Sequence, residues 1–205
     1  ALASQSRGAI RIKHVGELGE DSINMIRGLR SLGAEIQISD GMVDVSATSR
    51  TFPRVPGKRI DMGNSGTGFR FMLALASSMG SVSEITGDIS LRSRPFEVIT
   101  GALAELGCSV SKGVRGGFMV SGPAVPGKVV LDLSKGSQPL SALLVAAPSM
   151  GVDIEVKIHG NIVSQRYLKL TYGICKSTGS GNEFSDQNVR IVPWDVTLPE
   201  EVTVP

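Results

Sequence analysis

The sequence predicts a mixed α/β (α+β) fold that is built by repeating one structural unit. Residues 29–36 (LRSLGAEI) recur as residues 103–110 (LAELGCSV), a shift of 74 positions. The tetrapeptide ITGD at 85–88 recurs as IHGN at 158–161, a shift of 73 positions. Self-similarity at one offset in separate segments indicates a duplicated unit of about 70–75 residues.

Each unit begins with an amphipathic helix. Apolar residues recur every three or four positions in both copies, which is typical of a helix with one buried face. Gly33 and Gly107 follow these stretches at the position where glycine commonly ends a helix. The apolar positions are Ile23, Ile26, Leu29 and Leu32 in the first copy and Val98, Leu103 and Leu106 in the second.

The rest of each unit contains short strands and a second helix. Apolar and polar residues alternate between turn residues, which predicts a hairpin followed by a strand, a small-residue loop, a helix and a closing strand. The unit therefore has two helices and about four strands, which defines the mixed class. The predicted strands are 35–39, 42–46, 83–86, 109–112, 117–121 and 154–158, and the predicted second helices are 66–78 and 138–147.

A third unit begins near Ser164 and is incomplete. It has a helix at 166–177, a polar loop and a strand at 188–192, without a second helix. Because the first unit also lacks its beginning, we expect a piece of a longer protein, truncated at both ends. The predicted organisation is one globular domain over 1–205, with internal units at about 1–87, 88–160 and 161–205.

Composition argues against nucleic-acid and membrane partners. A net charge of +2 and 4% aromatic residues supply neither a basic patch nor stacking platforms. The longest apolar run, at 140–147, is far shorter than the roughly 20 residues of a membrane span. Cys108 and Cys175 lie in apolar contexts, which favours two buried, reduced thiols. His14 and His159 have no second ligand at helical spacing, so no metal site is predicted.

Residues 63–79 form the most informative stretch of the chain. A small-residue loop at 63–68 runs into an apolar helix, with Arg70 one turn inside. Backbone N–H groups, a helix start and an arginine together suit a phosphate or a carboxylate. The alternative is a loop that serves only as a turn and helix entry. Two nucleotide-binding motifs are excluded by residue. The phosphate-binding loop of nucleotidases requires a lysine after its last glycine, where this chain has Phe69. The dinucleotide-binding motif requires a third glycine, where this chain has Phe71.

Four motifs together resemble those of the 5-enolpyruvylshikimate-3-phosphate synthase family. They occur in the family's order, at compatible spacings, and they cover most of the chain. As a set they are highly specific, whereas the glycine loop alone is not. The motifs are GNSGTGFR at 63–70, LRSRP at 91–95, GSQPLSALL at 136–144 followed by AP at 147–148, and SQRY at 164–167.

The resemblance implies a protein of two globular domains, of which this chain is the N-terminal one. Each domain in this enolpyruvyl transferase fold is an inside-out α/β barrel of three βαβαββ units, with the helices inside and the substrates in the cleft between domains. The family's Lys-Ser-x-x-x-Arg segment, which binds both substrates, is expected just before Ala1. The chain's own C-terminal domain is expected beyond Pro205, and the catalytic residues are expected there.

The implied activity is transfer of the enolpyruvyl group of phosphoenolpyruvate to the 5-hydroxyl of shikimate 3-phosphate, with release of phosphate. This is a step of the shikimate pathway of aromatic amino acid biosynthesis, and a cytoplasmic location is expected. The partners would be these two small molecules and the second domain, without nucleic acid or membrane. No metal or organic cofactor is needed. Alone, residues 1–205 supply half of a cleft, and we expect them to be inactive.

The first part of the implied site binds phosphoenolpyruvate. Gly66 and Thr67 would offer backbone contacts, and Arg94 would clamp the phosphate because a guanidinium fork matches phosphate oxygens. Pro95 is predicted at the first position of a helix, which supports this role for its neighbour. The alternative for Arg94 is an ordinary exposed arginine.

The second part of the implied site binds shikimate 3-phosphate. Ser137 and Ser164 would donate hydrogen bonds to the 3-phosphate. Gln138 would contact the ring hydroxyls or the reacting centre, and Tyr167 would line the same pocket. Because both serines precede helices, helix capping is an alternative role that is compatible with phosphate binding.

Asn64 and Arg70 complete the set of candidate substrate-binding residues. For both of them a structural role is the competing interpretation. Asn64 would form a hydrogen bond within its own loop, and Arg70 would either support that loop or face a domain interface.

Four positions depart from the family pattern. Gly136 stands where the family usually has the first of two phosphate-binding serines, so one hydroxyl donor is lost. Phe71 replaces a proline, and Gln165-Arg166 replaces Lys-Pro. Arg166 would compensate with positive charge near the phosphate. These departures leave room for a member whose acceptor is not shikimate 3-phosphate.

Other functions remain open at the level of sequence. UDP-N-acetylglucosamine enolpyruvyl transferase shares the fold but uses a reactive cysteine in a mobile loop, and neither Cys108 nor Cys175 lies in such a loop. The RNA-terminal phosphate cyclases share part of the architecture, but the near-neutral charge argues against them. A non-catalytic domain that binds phosphate esters is the remaining alternative.

Overall fold

The computed structural model describes residues 1–46, 52–53, 57–114, 116–185 and 187–204, and within this part it has the predicted mixed α/β class. A short 3-10 helix at Ala3–Gln5 comes first. The helices are α1 (Glu20–Ser31), α2 (Gly66–Ala76), α3 (Ile89–Arg92), α4 (Glu97–Glu105), α5 (Gln138–Met150) and α6 (Gln165–Ser177). The strands are β1 (Ile10–Lys13), β2 (Ile36–Ser39), β3 (Met42–Val45), β4 (Arg59–Asp61), β5 (Ser83–Thr86), β6 (Ser109–Lys112), β7 (Phe118–Ser121), β8 (Gly127–Asp132), β9 (Ile154–His159), β10 (Glu183–Ser185), β11 (Asn188–Ile191) and β12 (Glu201–Thr203).

The strands form three four-stranded sheets that share one plan. The strand orders are β12-β1-β3-β2, β4-β5-β7-β6 and β8-β9-β11-β10. In each sheet the first two strands are parallel, and the last two form an antiparallel hairpin that directly follows a helix, which is α1, α4 or α6. The repeat seen in the sequence is therefore a threefold repetition of sheets.

Two helices are buried over most of their length because their residues are apolar on nearly every side. Helix α2 connects the parallel strands β4 and β5, and helix α5 connects the parallel strands β8 and β9. Every residue from Met72 to Ala76 in α2 and from Pro139 to Ala147 in α5 is buried. The helices inside and sheets outside match the fold that the motif resemblance implied.

The first sheet differs from the other two in how its parallel pair is connected. Its parallel strands, β1 and β12, come from opposite ends of the chain, and no described helix joins them. A cavity of about 450 Å³ lies against the inner face of this sheet. Apolar residues of the sheet and of α1, including Ile12, Val43 and Met25, line the cavity, which reaches Ser65 and Thr67 at the start of α2.

Helix α5 is longer than the sequence predicted. The prediction ended it before Pro148, because proline lacks an N–H and disrupts the helix around it. In the structure α5 continues to Met150, since the Gln5 side chain donates to the Val145 carbonyl at 2.8 Å and accepts from the Ser149 N–H at 3.0 Å. Gln5 thus takes both partners of one helical hydrogen bond near the proline.

Other predicted elements agree with the structure within a few residues, and some elements were not predicted. Gly33 and Gly107 have φ values of 100° and 80° after α1 and α4, as the helix-ending interpretation requires. Strands β1, β10 and β12 and helix α3 were missed. Strands β1 and β12 pair with each other from opposite ends of the chain, which no local pattern shows. The proposed unit boundaries stay a prediction.

Candidate functional site

The start of α2 presents free backbone donors. Ser65 is the N-cap residue, and its hydroxyl accepts a hydrogen bond from the Gly68 N–H at 3.2 Å. The N–H groups of Gly66 and Thr67, in the first turn, have no hydrogen-bond partner among the described residues. They therefore point out of the helix start, where the helix dipole favours an anion.

Arg94 lies directly against Gly66. A Cβ atom built on Gly66 would be 2.7 Å from Arg94 Nη1 and 3.4 Å from Arg70 Nη1. Arg94 Nη2 donates a hydrogen bond to Asn64 Oδ1, which holds the exposed guanidinium over the loop. The guanidinium groups of Arg94 and Arg70 thus lie beside Gly66, which has no side chain, close to the two free N–H groups.

Arg70 connects three segments around this point. Its Nη1 donates to the Gly66 carbonyl at 2.9 Å and to Gln138 Oε1 at 2.8 Å, and its Nη2 donates to the Pro95 carbonyl at 2.9 Å. Its guanidinium carbon lies 4.5 Å from the centre of the Phe96 ring. Burial lowers the pKa of Arg70, and the nearby charge of Arg94 lowers it further.

Gln138 joins the starts of α2 and α5. Its amide oxygen accepts from Arg70, and its Nε2 donates to Thr67 Oγ1 at 2.9 Å. An amide side chain has two donors and two acceptor lone pairs, so one of each remains for a ligand. Gln138 can therefore contact a substrate while it holds the two helices together.

Ser137 and Ser164 join the starts of α5 and α6. The Ser137 hydroxyl donates to the Ser164 carbonyl at 3.4 Å. Neither serine side chain forms a capping hydrogen bond with its helix, so the capping interpretation is wrong. Both hydroxyl groups can therefore form a hydrogen bond with a ligand. Ser164 adopts a left-handed conformation with φ of 63°, and Gly136 has φ of 144°, a value that favours glycine.

These contacts bring the predicted site residues into one continuous network. Arg94 contacts Asn64 and lies over Gly66, Arg70 and Gln138 connect α2 to α5, and Ser137 reaches Ser164. Tyr167 lies one turn into α6, with 71% of its surface exposed. The side chain of Tyr167 has no described contact with this network. All of the other predicted substrate-binding residues belong to it: Asn64, Gly66, Thr67, Arg70, Arg94, Ser137, Gln138 and Ser164.

Two details of the prediction were wrong. The structural alternative for Asn64 was a hydrogen bond within its own loop, but its side-chain oxygen accepts from Arg94, which follows it by 30 residues. Pro95 was expected at the first position of a helix, but α4 begins at Glu97 with Phe96 as its N-cap residue. The Pro95 carbonyl is engaged by Arg70 instead, and Phe96 has a φ of −120° and a ψ of 4°, which lie outside the helical range.

The prediction also missed residues that support the site. Phe96 stacks on Phe69 with ring centres 4.2 Å apart and carries Arg70 on its other side. Asn24 of α1 packs against Gly63, where a Cβ atom would lie 2.6 Å from Asn24 Nδ2. No spacing in the sequence identifies either residue, because both act through contacts between distant segments.

Two other features are absent from the part of the chain that the structure describes. Among the described residues, no three His, Cys, Asp or Glu side chains are grouped so that they could hold a metal ion. None of the helices described is long and apolar enough to cross a membrane.

Cys108 and Cys175 are free and buried, as predicted. Burial raises the pKa of Cys175 to about 12 and also raises that of Cys108.

Comparison with known proteins decides the family. Residues 1–205 match the family model described as EPSP synthase (3-phosphoshikimate 1-carboxyvinyltransferase). The chain belongs to the EPSP synthase family. The family resemblance seen in the four motifs is therefore confirmed.

Individual members of the EPSP synthase family are moderately similar to this chain. The 3-phosphoshikimate 1-carboxyvinyltransferase of Methanocorpusculum labreanum is 30% identical over 91% of this chain and 44% of its own length. The enzyme of the same name from Methanothrix thermoacetophila is 34% identical over 80% of this chain and 39% of its own length. The chain thus spans less than half the length of the curated relatives it matches.

Solved structures support the fold. EPSP synthase from Acinetobacter baumannii superposes with a TM-score of 0.81 at 22% identity, over 100% of this chain and 46% of that one. The enolpyruvyl transferase NikO from Streptomyces tendae superposes with a TM-score of 0.66 at 16% identity, over 99% of this chain and 48% of that one. The predicted enolpyruvyl transferase fold is therefore confirmed, with this chain covering about half of it.

Proposed function

We propose that this chain is the N-terminal domain of a cytoplasmic 3-phosphoshikimate 1-carboxyvinyltransferase. The whole protein would transfer the enolpyruvyl group of phosphoenolpyruvate to the 5-hydroxyl of shikimate 3-phosphate and release phosphate. The observation that carries this proposal is the contact network at the starts of α2, α5 and α6. It joins free backbone donors, two arginines and the Ser137 hydroxyl, which donates to the Ser164 backbone carbonyl, in a single wall.

One end of this wall suits phosphoenolpyruvate. The free N–H groups of Gly66 and Thr67 and the guanidinium of Arg94 surround a position without a side chain, so a small anion can approach the backbone closely. A phosphate there would gain charge-assisted hydrogen bonds from a fork-shaped donor that stays charged. The helix dipole of α2 adds to the attraction.

The other end of the wall suits the phosphate ester. Ser137, Gln138 and Ser164 lie at the starts of α5 and α6, and their hydroxyl and amide groups keep unused hydrogen-bonding capacity. Tyr167 is exposed one turn further along α6. Shikimate 3-phosphate would bind with its phosphate at the two helix starts and its ring near Gln138.

The reaction requires two anions to be held side by side. Their repulsion is offset by the arginines and by donors that are fixed in place before the substrates arrive, and their juxtaposition supplies much of the rate. The methylene carbon must be protonated and the 5-hydroxyl must lose its proton. We assign these proton transfers to the second domain, because the network described here contains no carboxylate, lysine or histidine side chain.

The cavity beside the first sheet fits the same proposal. It opens between α1 and the start of α2 and reaches Ser65 and Thr67, next to the free N–H groups. The Lys-Ser-x-x-x-Arg segment implied by the resemblance would occupy it as a third inner helix. Its cationic residues would then face the same anions as Arg94.

Turnover by the full-length protein tests the proposed function. The protein is incubated with phosphoenolpyruvate and shikimate 3-phosphate, and phosphate release and the enolpyruvyl product are measured together. We expect both with shikimate 3-phosphate, neither with UDP-N-acetylglucosamine as acceptor, and neither from residues 1–205 alone. Phosphate release with UDP-N-acetylglucosamine only, or the absence of any product from the full-length protein, would contradict the proposal.

A further inference from the structure

We propose that Arg70 is a positioning residue that sets the place of Arg94 without touching either substrate. This inference rests on the proposed function, since it names the residue that makes the phosphate clamp of that site effective. It is carried by the three hydrogen bonds of Arg70 and by its stacking on Phe96.

Three of the five N–H donors of the Arg70 guanidinium are engaged by protein acceptors. Nη1 donates to both the Gly66 carbonyl and Gln138 Oε1, and Nη2 donates to the Pro95 carbonyl. One face of the guanidinium is covered by the Phe96 ring at 4.5 Å. The group is therefore committed to protein partners, in contrast to Arg94, which is exposed and has Asn64 as its hydrogen-bond partner among the described residues.

The partners of Arg70 determine where Arg94 lies. Pro95 and Phe96 directly follow Arg94 in the chain, so the bond to the Pro95 carbonyl and the stack on Phe96 fix the end of that segment. The bond to the Gly66 carbonyl fixes the first turn of α2, against which Arg94 packs. Arg70 thus fixes both the segment that carries Arg94 and the first turn of α2. The distance between these two segments decides whether Arg94 and the α2 N–H groups can bind the same phosphate.

The aromatic cluster beneath Arg70 makes this support rigid. Phe69 and Phe96 are stacked, and Phe118 meets both of them edge-on with ring centres 6.2 Å apart. Phe69 follows the loop of α2, and Phe96 follows Arg94, so the cluster joins the same two segments as Arg70. Because Phe69 and Phe96 are buried and have few alternative arrangements, a change at Arg70 is transmitted to Arg94.

A lysine cannot replace Arg70 in this arrangement. Lysine carries its charge at one point and cannot donate in three fixed directions while it stacks on a ring. The variant Arg70→Lys should therefore keep the charge and lose the geometry. Arg30→Lys is a matched control, because Arg30 also donates to a backbone carbonyl, that of Ile36, at 3.0 and 2.6 Å, and belongs to no part of the site network.

The test is a double-mutant cycle in the full-length protein. The KM for phosphoenolpyruvate is measured for the wild type, Arg70→Lys, Arg94→Lys and the double variant, with thermal melting of each. We expect Arg70→Lys to raise this KM by about tenfold in the wild type and by less than about twofold in the Arg94→Lys background, because coupled residues are not additive. Arg30→Lys should leave KM unchanged while shifting the melting temperature to a similar extent.

Three outcomes would overturn the inference. If the effects of the two substitutions on KM multiply in the double variant, Arg70 binds the substrate directly. If Arg70→Lys lowers the melting temperature and leaves KM unchanged, its role is only structural. Should Arg94→Lys leave KM unchanged, the assignment of Arg94 fails, and the role of Arg70 fails with it. Arg70→Met, which keeps an apolar stem over Phe96, repeats the cycle if the lysine variant does not fold.

Discussion

A Cβ atom on Gly66 would lie 2.7 Å from Nη1 of Arg94. Real side chains do not approach this closely, so any residue other than glycine must displace the guanidinium. We expect Gly66→Ala to raise the KM for phosphoenolpyruvate by about tenfold or more, since one charge-assisted hydrogen bond is worth about 1.5–3 kcal/mol. Steady-state kinetics of the full-length protein measures this effect.

Gly101→Ala is the matched control for that substitution. Gly101 lies within α4, and a Cβ atom there would have nothing within 4 Å. Alanine should leave KM unchanged and stabilise the helix by roughly 0.5–1 kcal/mol. An unchanged KM in Gly66→Ala would show that Arg94 does not contact the substrate from its present position.

Ser65 and Ser137 are expected to respond to alanine in opposite ways. Ser65 caps α2 through its side chain, so Ser65→Ala should lower the free energy of unfolding by about 1 kcal/mol. Ser137 makes no such capping bond, so Ser137→Ala should cost little stability and weaken shikimate 3-phosphate binding. Urea denaturation and calorimetric titration separate the two effects. A large stability loss with intact affinity in Ser137→Ala would contradict the assignment.

Arg166 is predicted to replace the hydroxyl that is missing at Gly136. It is exposed in the first turn of α6, next to Ser164, and its side chain has no partner among the described residues. Arg166→Ala should weaken shikimate 3-phosphate binding by about tenfold through loss of one charge-assisted contact. Lys169→Ala, an exposed cation in the same helix, is the control. If both variants weaken shikimate 3-phosphate binding equally, Arg166 contributes only its positive charge and makes no specific contact with the phosphate.

The two cysteines are expected to be unreactive in the folded protein. Burial raises the pKa of Cys175 to about 12 from 9.0, so almost no thiolate exists at pH 8. Iodoacetamide should therefore modify neither thiol at pH 8 until urea unfolds the protein. Because the folded pKa is the higher one, the stabilising contribution of Cys175 is present below pH 9 and is lost as the pH rises toward 12. Rapid alkylation of the native protein would instead support a catalytic cysteine.

The sequence predicted those features that depend on local pattern. Helical spacing predicted the faces of α1 and α4, and the repeat offset predicted that the loops before α2 and α5 are equivalent. The motif resemblance then identified residues that do meet, such as Gln138 and Thr67. These features could be read from the sequence because each is repeated or belongs to a recognisable motif.

Contacts between distant segments could not be read from the sequence in the same way. Gln5 supports α5 across 140 residues, and that contact allows the helix to pass Pro148. The partner of Asn64 depends on how the segment before α4 folds back over α2, which no local preference specifies. The pairing of β1 with β12 likewise brings together opposite ends of the chain.

The most direct test of the account is the pattern of backbone amide shifts when the full-length protein binds shikimate 3-phosphate and then phosphoenolpyruvate. Amide NMR on isotope-labelled protein locates the residues whose surroundings change. We expect the largest changes at the starts of α5 and α6 for the first ligand, and at Gly66 and Thr67 for the second. Changes spread over the outer faces of the three sheets, with these helix starts unaffected, would contradict it.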